Sequence, residues 1–519
     1  MNKEATQNLQ DSIFWQEETP SLRATFGGAL ILVALFISYA LRSTGTYQDD
    51  DIAHFLIAKW SWQHPQLLLD VWGRPTFTLL YAPIAPFGLL AVRCFSAFLA
   101  GIICIGSAFL AKAYRLQWYW LAVPLTGLQP EFMRQAFSSL TELSFALCLC
   151  FTLLFYKKRA WTAMALVAGW LPLARYESIP ILALFTLLLL KERRYWQSIL
   201  TLLPLFAWNS YWAFALHDWT HILFPFDRLF IKESVGDYGT GTPWYYVQRL
   251  PIAYGSIIFL LATYGFFRLP FDLSHLSVIL TIAVLSISYS ALPSAGVAGY
   301  IRHLATISPA ISLFALAGLE KIYIPITFKR VWQAFALKVP ALFTTLGMLP
   351  LAGAAWLTRK ILPFDQLIAL FIGLSLFLLN KPLFTLRKVA LALFPLLLIA
   401  TLIRIQPFDL TPEQHLVIEA ANWYRASAYQ DRLILGSHTL FVYTSEIDPY
   451  DEAHYRAITP VEIAKAPAGS LIVWDSHYSN RLVWKTPLNL LQNQAQFQLL
   501  QSFQKDGIAI YIFLKKAVL

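Results

Sequence analysis

The chain has 519 residues, of which 57% are hydrophobic and 13% charged, with 18 Trp, 24 Tyr and 38 Phe and a mean hydropathy of +0.54. Ordinary soluble domains carry about 25% charged residues and seldom string apolar residues beyond one helix length, so this composition excludes a soluble globular protein and points to a polytopic membrane protein. The formal net charge of +10 is, in such a protein, assigned first to cytoplasmic loops, and no nucleic-acid partner is expected. Cys94, Cys104, Cys148 and Cys150 all fall inside apolar stretches, which argues against a disulfide framework.

Residues 1–23 are polar and lack both a cationic start before an apolar core and a small-residue cleavage site, so no cleaved signal peptide is expected and the segment is read as cytoplasmic. A helix needs about 19 apolar residues to cross about 30 Å of hydrocarbon. Windows of that kind predict spans at 24–41, 91–113, 118–130, 137–156, 160–174, 177–191, 198–216, 250–267, 274–293, 300–319, 339–357, 361–380 and 387–405. The apolar piece 76–90, broken by Pro83 and Pro86, is an alternative re-entrant or interfacial segment.

With the amino terminus inside, sixteen cations from Lys112 to Lys388 lie in short cytoplasmic connections, while nearly every acidic residue of 24–405 lies outside. This satisfies the positive-inside rule. An odd number of spans then delivers residues 406–519 to the outer face. There the pattern changes to scattered charge, with a helical opening PEQHLVIEAANWYRASAY and β-like runs LILG, SLIVWDS, FQLLQSF and GIAIYIFLKK, which predicts a soluble α/β domain. The expected fold class is an all-α polytopic membrane protein of about thirteen helices with a C-terminal α/β domain.

Ionisable groups in or beside spans are costly unless they pair or line a cavity, and so mark a functional site. Those predicted on the outer side are Asp49, Asp50, Asp51 and His54, then Arg74, Glu131, Arg134 and Glu142. Arg175 and Glu177 follow, then the 217–249 loop with Asp237, Tyr238 and Trp244, and finally Arg302 and His303. The chemistry that suits them is glycosyl transfer from a lipid phosphate: a carboxylate takes the acceptor's proton while Arg neutralises the departing phosphate.

The loop TYQDDDIAHFLIAKW resembles the acidic motif of the GT-C superfamily of integral membrane glycosyltransferases, which includes protein O-mannosyltransferases and lipid A aminoarabinose transferases. GRPTFTLLYAPIAPFGLLAVRCFSAFLAG, FSSLTELSFALCL, LPLARYESIPIL, YGTGTPWYYVQRLPIAYGS and GYIRHLATISPAISLFALAGLEK resemble later segments of the same superfamily, in the same order. The resemblance implies a catalytic base among Asp50, Asp51 and Asp49, with Glu142 as a second acidic residue. It further implies Arg302, Arg175, His303 and Arg74 on the donor phosphate, and His54, Glu177, Asp237, Tyr238 and Trp244 towards the sugar or acceptor.

The implied partners are a polyprenyl-phosphate-linked sugar, a glycan, lipid or protein acceptor, and the bilayer, with a bacterial inner membrane as location. Mannose is the commonest sugar among such relatives. No clear metal motif is present, although a divalent cation is compatible with the family, and His217 and His221 with Asp218 between them form a weak candidate pair. In 406–519, DPYDEAHYR and VWDSHYSNR lack a nucleophile elbow and are read as an acceptor-binding or simply polar surface. A transporter or flippase would show repeated halves and midplane charges, which the sequence lacks. A noncatalytic envelope scaffold would leave the one-sided charges without a purpose.

Overall fold

The computed structural model describes residues 3–70, 72–215, 217, 239–291, 299–321, 399, 401–481 and 484–517. The expected spans 339–357 and 361–380 lie outside the described residues, as does 387–405 apart from its end. Helix α1 (Lys3–Arg42) is followed by α2 (Asp49–Trp60), α3 (Pro75–Tyr81) and α4 (Leu89–Ala113). Then come α5 (Ala122–Gly127), α6 (Pro130–Gln135), α7 (Glu142–Lys157), α8 (Trp161–Ala168), α9 (Leu171–Ala174), α10 (Ile179–Lys191) and α11 (Tyr195–Ala215). Further helices are Tyr245–Tyr254, Ser256–Phe266, Leu273–Ala291 and Ser308–Lys321, the last preceded by a 3₁₀ stretch, Ile301–Ile307.

Among the described residues, four segments are long and apolar enough to cross a bilayer unaided: Ser21–Arg42, Leu89–Ala113, Leu273–Ala291 and Ile301–Glu320. Several windows predicted as single spans are broken instead, at residues that end helices. The 118–130 window holds Pro124, Gly127 and Pro130 and divides into a 3₁₀ turn, α5 and the start of α6. At six residues, α5 is about 9 Å long, far short of the hydrocarbon thickness. Gly255, at φ +78°, bends Tyr245–Tyr254 against Ser256–Phe266 by 115°. The Pro-broken piece 76–90 is likewise two short helical pieces before α4.

The helices pack around a core of Ala, Leu, Ile and Phe that runs from α1 to Ser308–Lys321. Small residues permit the closest crossing: a Cβ on Gly318 would lie 2.1 Å from the Leu261 carbonyl oxygen, and one on Gly265 would lie 1.8 Å from that of Phe314. Such backbone approach is the general device of helices that have only packing to hold them together in lipid.

The C-terminal region begins with Pro412–Ala426, closed at its N-terminus by a capping box between Thr411 and Gln414. Its sheet comprises β1 (Ile434–Gly436), β2 (Tyr455–Ala457), β3 (Leu471–Asp475), β4 (Phe497–Lys505) and β5 (Ile508–Lys515), in the order β2-β1-β3-β5-β4. The first three strands are parallel and the last two antiparallel, so the four runs read as strands are strands and β2 is added to them. This region packs on the helical part through one apolar cluster, in which Ile52, Phe55, Leu56 and Phe77 meet Val417, Ala420 and Phe441. Gly45 donates its N–H to the Phe408 carbonyl at 2.8 Å. A side chain at Gly45 would meet the Asp409 carbonyl oxygen at 2.3 Å.

Candidate active site

Three consecutive carboxylates open α2, where the helix dipole favours negative charge. Successive helical residues are rotated by about 100°, so the three side chains leave in three directions and meet three environments.

Asp51 is fully buried. One oxygen takes the Arg93 guanidinium at 3.0 Å, and the other accepts from the backbone N–H and the hydroxyl of Ser139. Its valences are occupied by the protein, which ties α2 to α4 and to the turn before α7. Asp49 faces the C-terminal region and accepts from the Tyr478 hydroxyl. Asp50 alone turns towards the other predicted site residues, pairing with Arg302 while keeping 22% of its side-chain surface exposed. Burial acts to raise the Asp50 pKa, but Arg302, then His54 and Arg175, outweigh it and hold the carboxyl below its ordinary value.

Arg302 lies in the 3₁₀ stretch Ile301–Ile307, buried, and also donates to the Gln48 side-chain oxygen. Its Nε stands 3.3 Å from Glu142 Oε1. Glu142 begins α7 with 1% exposure; the same oxygen accepts from Arg175 at 3.0 Å and lies 3.8 Å from His303 Nε2. Arg175, held in the extended break between α9 and the turn Tyr176–Ser178, also donates to Thr141 Oγ1 at 3.2 Å and to Glu177 at 2.9 Å. Arg74 caps α3 at φ +57° and rests its guanidinium 4.7 Å from the Tyr176 ring centre. The result is one continuous chain of charges, Asp50–Arg302–Glu142–Arg175–Glu177, with Arg74 beside it.

Several polar atoms in this chain are buried and have no protein partner: Glu142 Oε2, Glu177 Oε2, His303 Nδ1 and the Tyr246 hydroxyl. His54 Nδ1 is another. The His54 ring is sandwiched by Trp72 at 5.8 Å and Phe77 at 5.6 Å. Burial, aided by Arg302, Arg74 and Arg175 and opposed by Asp50, pushes its pKa down to about 3, so it is a neutral imidazole at neutral pH. Buried polar groups ordinarily find partners, and a concentration of unpartnered ones around paired charges is what a site for a polar ligand presents.

Trp244 caps Tyr245–Tyr254 and is exposed, next to a cluster of Tyr245, Tyr246 and Tyr289. Asp237, Tyr238, Asp218 and His221 lie outside the described residues. Among the described residues, no group of three or more His, Cys, Asp or Glu is arranged to hold a metal ion.

Sequence reasoning passed over Gln48, Arg93, Ser139, Tyr246 and Tyr478. Arg93 had a readable signal, an Arg one turn into an apolar span. The others are ordinary polar residues until the fold brings their partners to them.

No family model matches this chain, and no curated protein matches it by sequence. Solved structures do. The apo form of ArnT from Cupriavidus metallidurans aligns with a TM-score of 0.57 at 13% identity, covering 94% of this chain and 98% of that one. The same protein bound to undecaprenyl phosphate aligns with a TM-score of 0.54 at 13% identity, covering 93% and 96%. This chain has a GT-C-like fold. The alignment runs through both the helical part and the C-terminal region, so the whole architecture is shared.

Proposed function

We infer that the protein is a membrane glycosyltransferase that moves a sugar from a polyprenyl-phosphate donor to an acceptor on the outer face of a bacterial inner membrane. The observation that carries this reading is the division of the three carboxylates, which leaves Asp50 partly exposed beside a buried Arg302–Glu142–Arg175 network. The GT-C-like fold supports it, since a structure of the same architecture was solved with undecaprenyl phosphate bound.

In the proposed reaction Asp50 accepts the proton of an acceptor hydroxyl, whose oxygen forms a bond to the anomeric carbon as the bond from that carbon to the phosphate oxygen breaks. Polyprenyl phosphate leaves with the added charge, which Arg302 and Arg175 neutralise. Arg302 has a double part. It keeps Asp50 ionised before substrate binds, and an arriving phosphate competes for the guanidinium, returning basicity to Asp50 when it is needed. Glu142 Oε2, Glu177 Oε2, His303 Nδ1 and the Tyr246 hydroxyl are placed to meet sugar hydroxyls. A single base with no second, nucleophilic carboxylate corresponds to inversion at the sugar. A hexose such as mannose is the first donor to try.

The test is transfer of radiolabelled sugar by the purified protein from a panel of synthetic polyprenyl-phosphate sugars, with release to water also measured. Turnover with one donor supports the class and identifies the sugar. No turnover with any donor, from protein with a cooperative melting transition, rejects it.

A further inference from the structure

The segment VWDSHYSNR takes no part in the transfer step, yet the fold carries it to the first acidic helix. In open α/β sheets the ligand crevice lies beyond the carboxyl ends of parallel strands, where neighbouring connections diverge to opposite sides. Strand β1 lies between β2 and β3 and is parallel to both, so such a crevice opens past Gly436 and Asp475. Asp475 is buried and organises the loop after β3, accepting from Ser437 Oγ at 2.6 Å and from the backbone N–H groups of His477 at 3.0 Å and Tyr478 at 2.6 Å. Glu413 enters from the first turn of Pro412–Ala426. Its Oε1 accepts from His477 Nδ1 at 2.7 Å and stands 3.5 Å from His438 Nε2.

These groups immobilise the Tyr478 ring. It stacks on His477 with centroids 4.1 Å apart, meets His438 edge-on at 5.2 Å, and lies 4.4 Å from the Arg481 guanidinium. Only the phenolic hydroxyl is left to reach out of the crevice, and it donates to the Asp49 carboxylate. A phenol held on three sides by other rings and charges is a more exact restraint than a surface tether.

We propose that Asp49 occupies this crevice as the helical part's own ligand, and that Tyr478 is a positioning residue that fixes the first turn of α2 so that the adjacent Asp50 meets Arg302. The C-terminal region is then a working part of the active site. The structural claim stands independently of the glycosyltransferase reading, and its kinetic consequence rests on that reading.

The test uses the full chain in lipid nanodiscs with four variants: Tyr478→Phe, Asp49→Ala, the two combined, and Tyr424→Phe as a control. Tyr424 donates to the Gln430 carbonyl at 2.7 Å within the C-terminal region, so the control removes a comparable bond away from α2. Tyr478→Phe is expected to speed hydrogen exchange over residues 47–53 by about tenfold, the effect of one hydrogen bond to a charged group, with Tyr424→Phe unchanged there. In transfer assays Tyr478→Phe should lower kcat by about tenfold with the donor KM unchanged, and the combined variant should be no worse than either alone. Unchanged exchange in both Tyr478→Phe and Asp49→Ala, or additive losses in the combined variant, overturns the proposal. Should Tyr478→Phe not fold, Asp49→Ala reads the same bond from its other end. If wild type transfers no sugar, the glycosyltransferase reading fails while the exchange experiment still decides this one.

Discussion

Helix α7 carries a polar cluster at each end, and the two are built differently. At its C-terminal end, Asp272 Oδ2 accepts from the Tyr114 hydroxyl at 2.5 Å and from Lys157 at 3.3 Å, while Oδ1 takes the Ser274 N–H at 3.0 Å and stands 3.3 Å from His275 Nδ1. His275 Nε2 in turn meets the Phe266 carbonyl at 2.9 Å. At the N-terminal end, Glu142 engages three cationic or imidazole groups through one oxygen and leaves the other without a partner, as are His303 Nδ1 and Tyr246 Oη. The first cluster is closed and its work is to hold α4, α7 and Leu273–Ala291 together. The second is arranged around something the protein does not itself supply. Satisfaction of hydrogen bonds, rather than the presence of charge, separates a structural knot from a candidate site.

The sharpest way to break this comparison is Asp50→Asn, which should lower transfer by about 10²–10⁴-fold, the range for loss of a general base, with an unchanged melting temperature. Asp51→Asn should act the other way. It leaves Arg93 buried without its counter-charge, a loss of about 3–5 kcal/mol, so denaturant unfolding should show a large destabilisation. Glu142→Gln should reduce turnover by about 10²-fold through a weakened electrostatic frame, measurable as a fall in kcat at saturating donor. Asp272→Asn should cost about 1–3 kcal/mol of stability and leave turnover per folded molecule as in wild type.

The smallest effect is one of pH. The buried His54 has its pKa pushed from 6.5 to about 3, so between those values the unfolded chain binds a proton that the folded one does not. Stability therefore falls as pH drops through that window. His54→Asn should flatten the acid side of the curve of melting temperature against pH.

Much of the architecture was legible because apolar period and strand alternation are local properties. The long helices Leu89–Ala113 and Leu273–Ala291 and the strands β1, β3, β4 and β5 all follow from them. The breaks were less legible: Pro124, Gly127, Gly169 and Gly255 sit in windows whose mean apolarity hides them, and β2 is three residues long with Arg456 at its centre. In the candidate site, the residue types and their approximate grouping were readable from Asp49–Asp51, Glu142, Arg175 and Arg302. Which of three adjacent aspartates faces Arg302 was not. That choice depends on Arg93, Ser139 and Tyr478, which lie 42, 88 and 429 residues from their respective partners and have no local signature.

The most direct measurement is transfer per folded molecule, side by side with melting temperature, for Asp50→Asn and Asp272→Asn in the presence of the donor found active with wild type. The account predicts that Asp50→Asn loses transfer and keeps its melting temperature, whereas Asp272→Asn keeps transfer and melts lower. Transfer retained by Asp50→Asn, or lost equally in both variants, would contradict it.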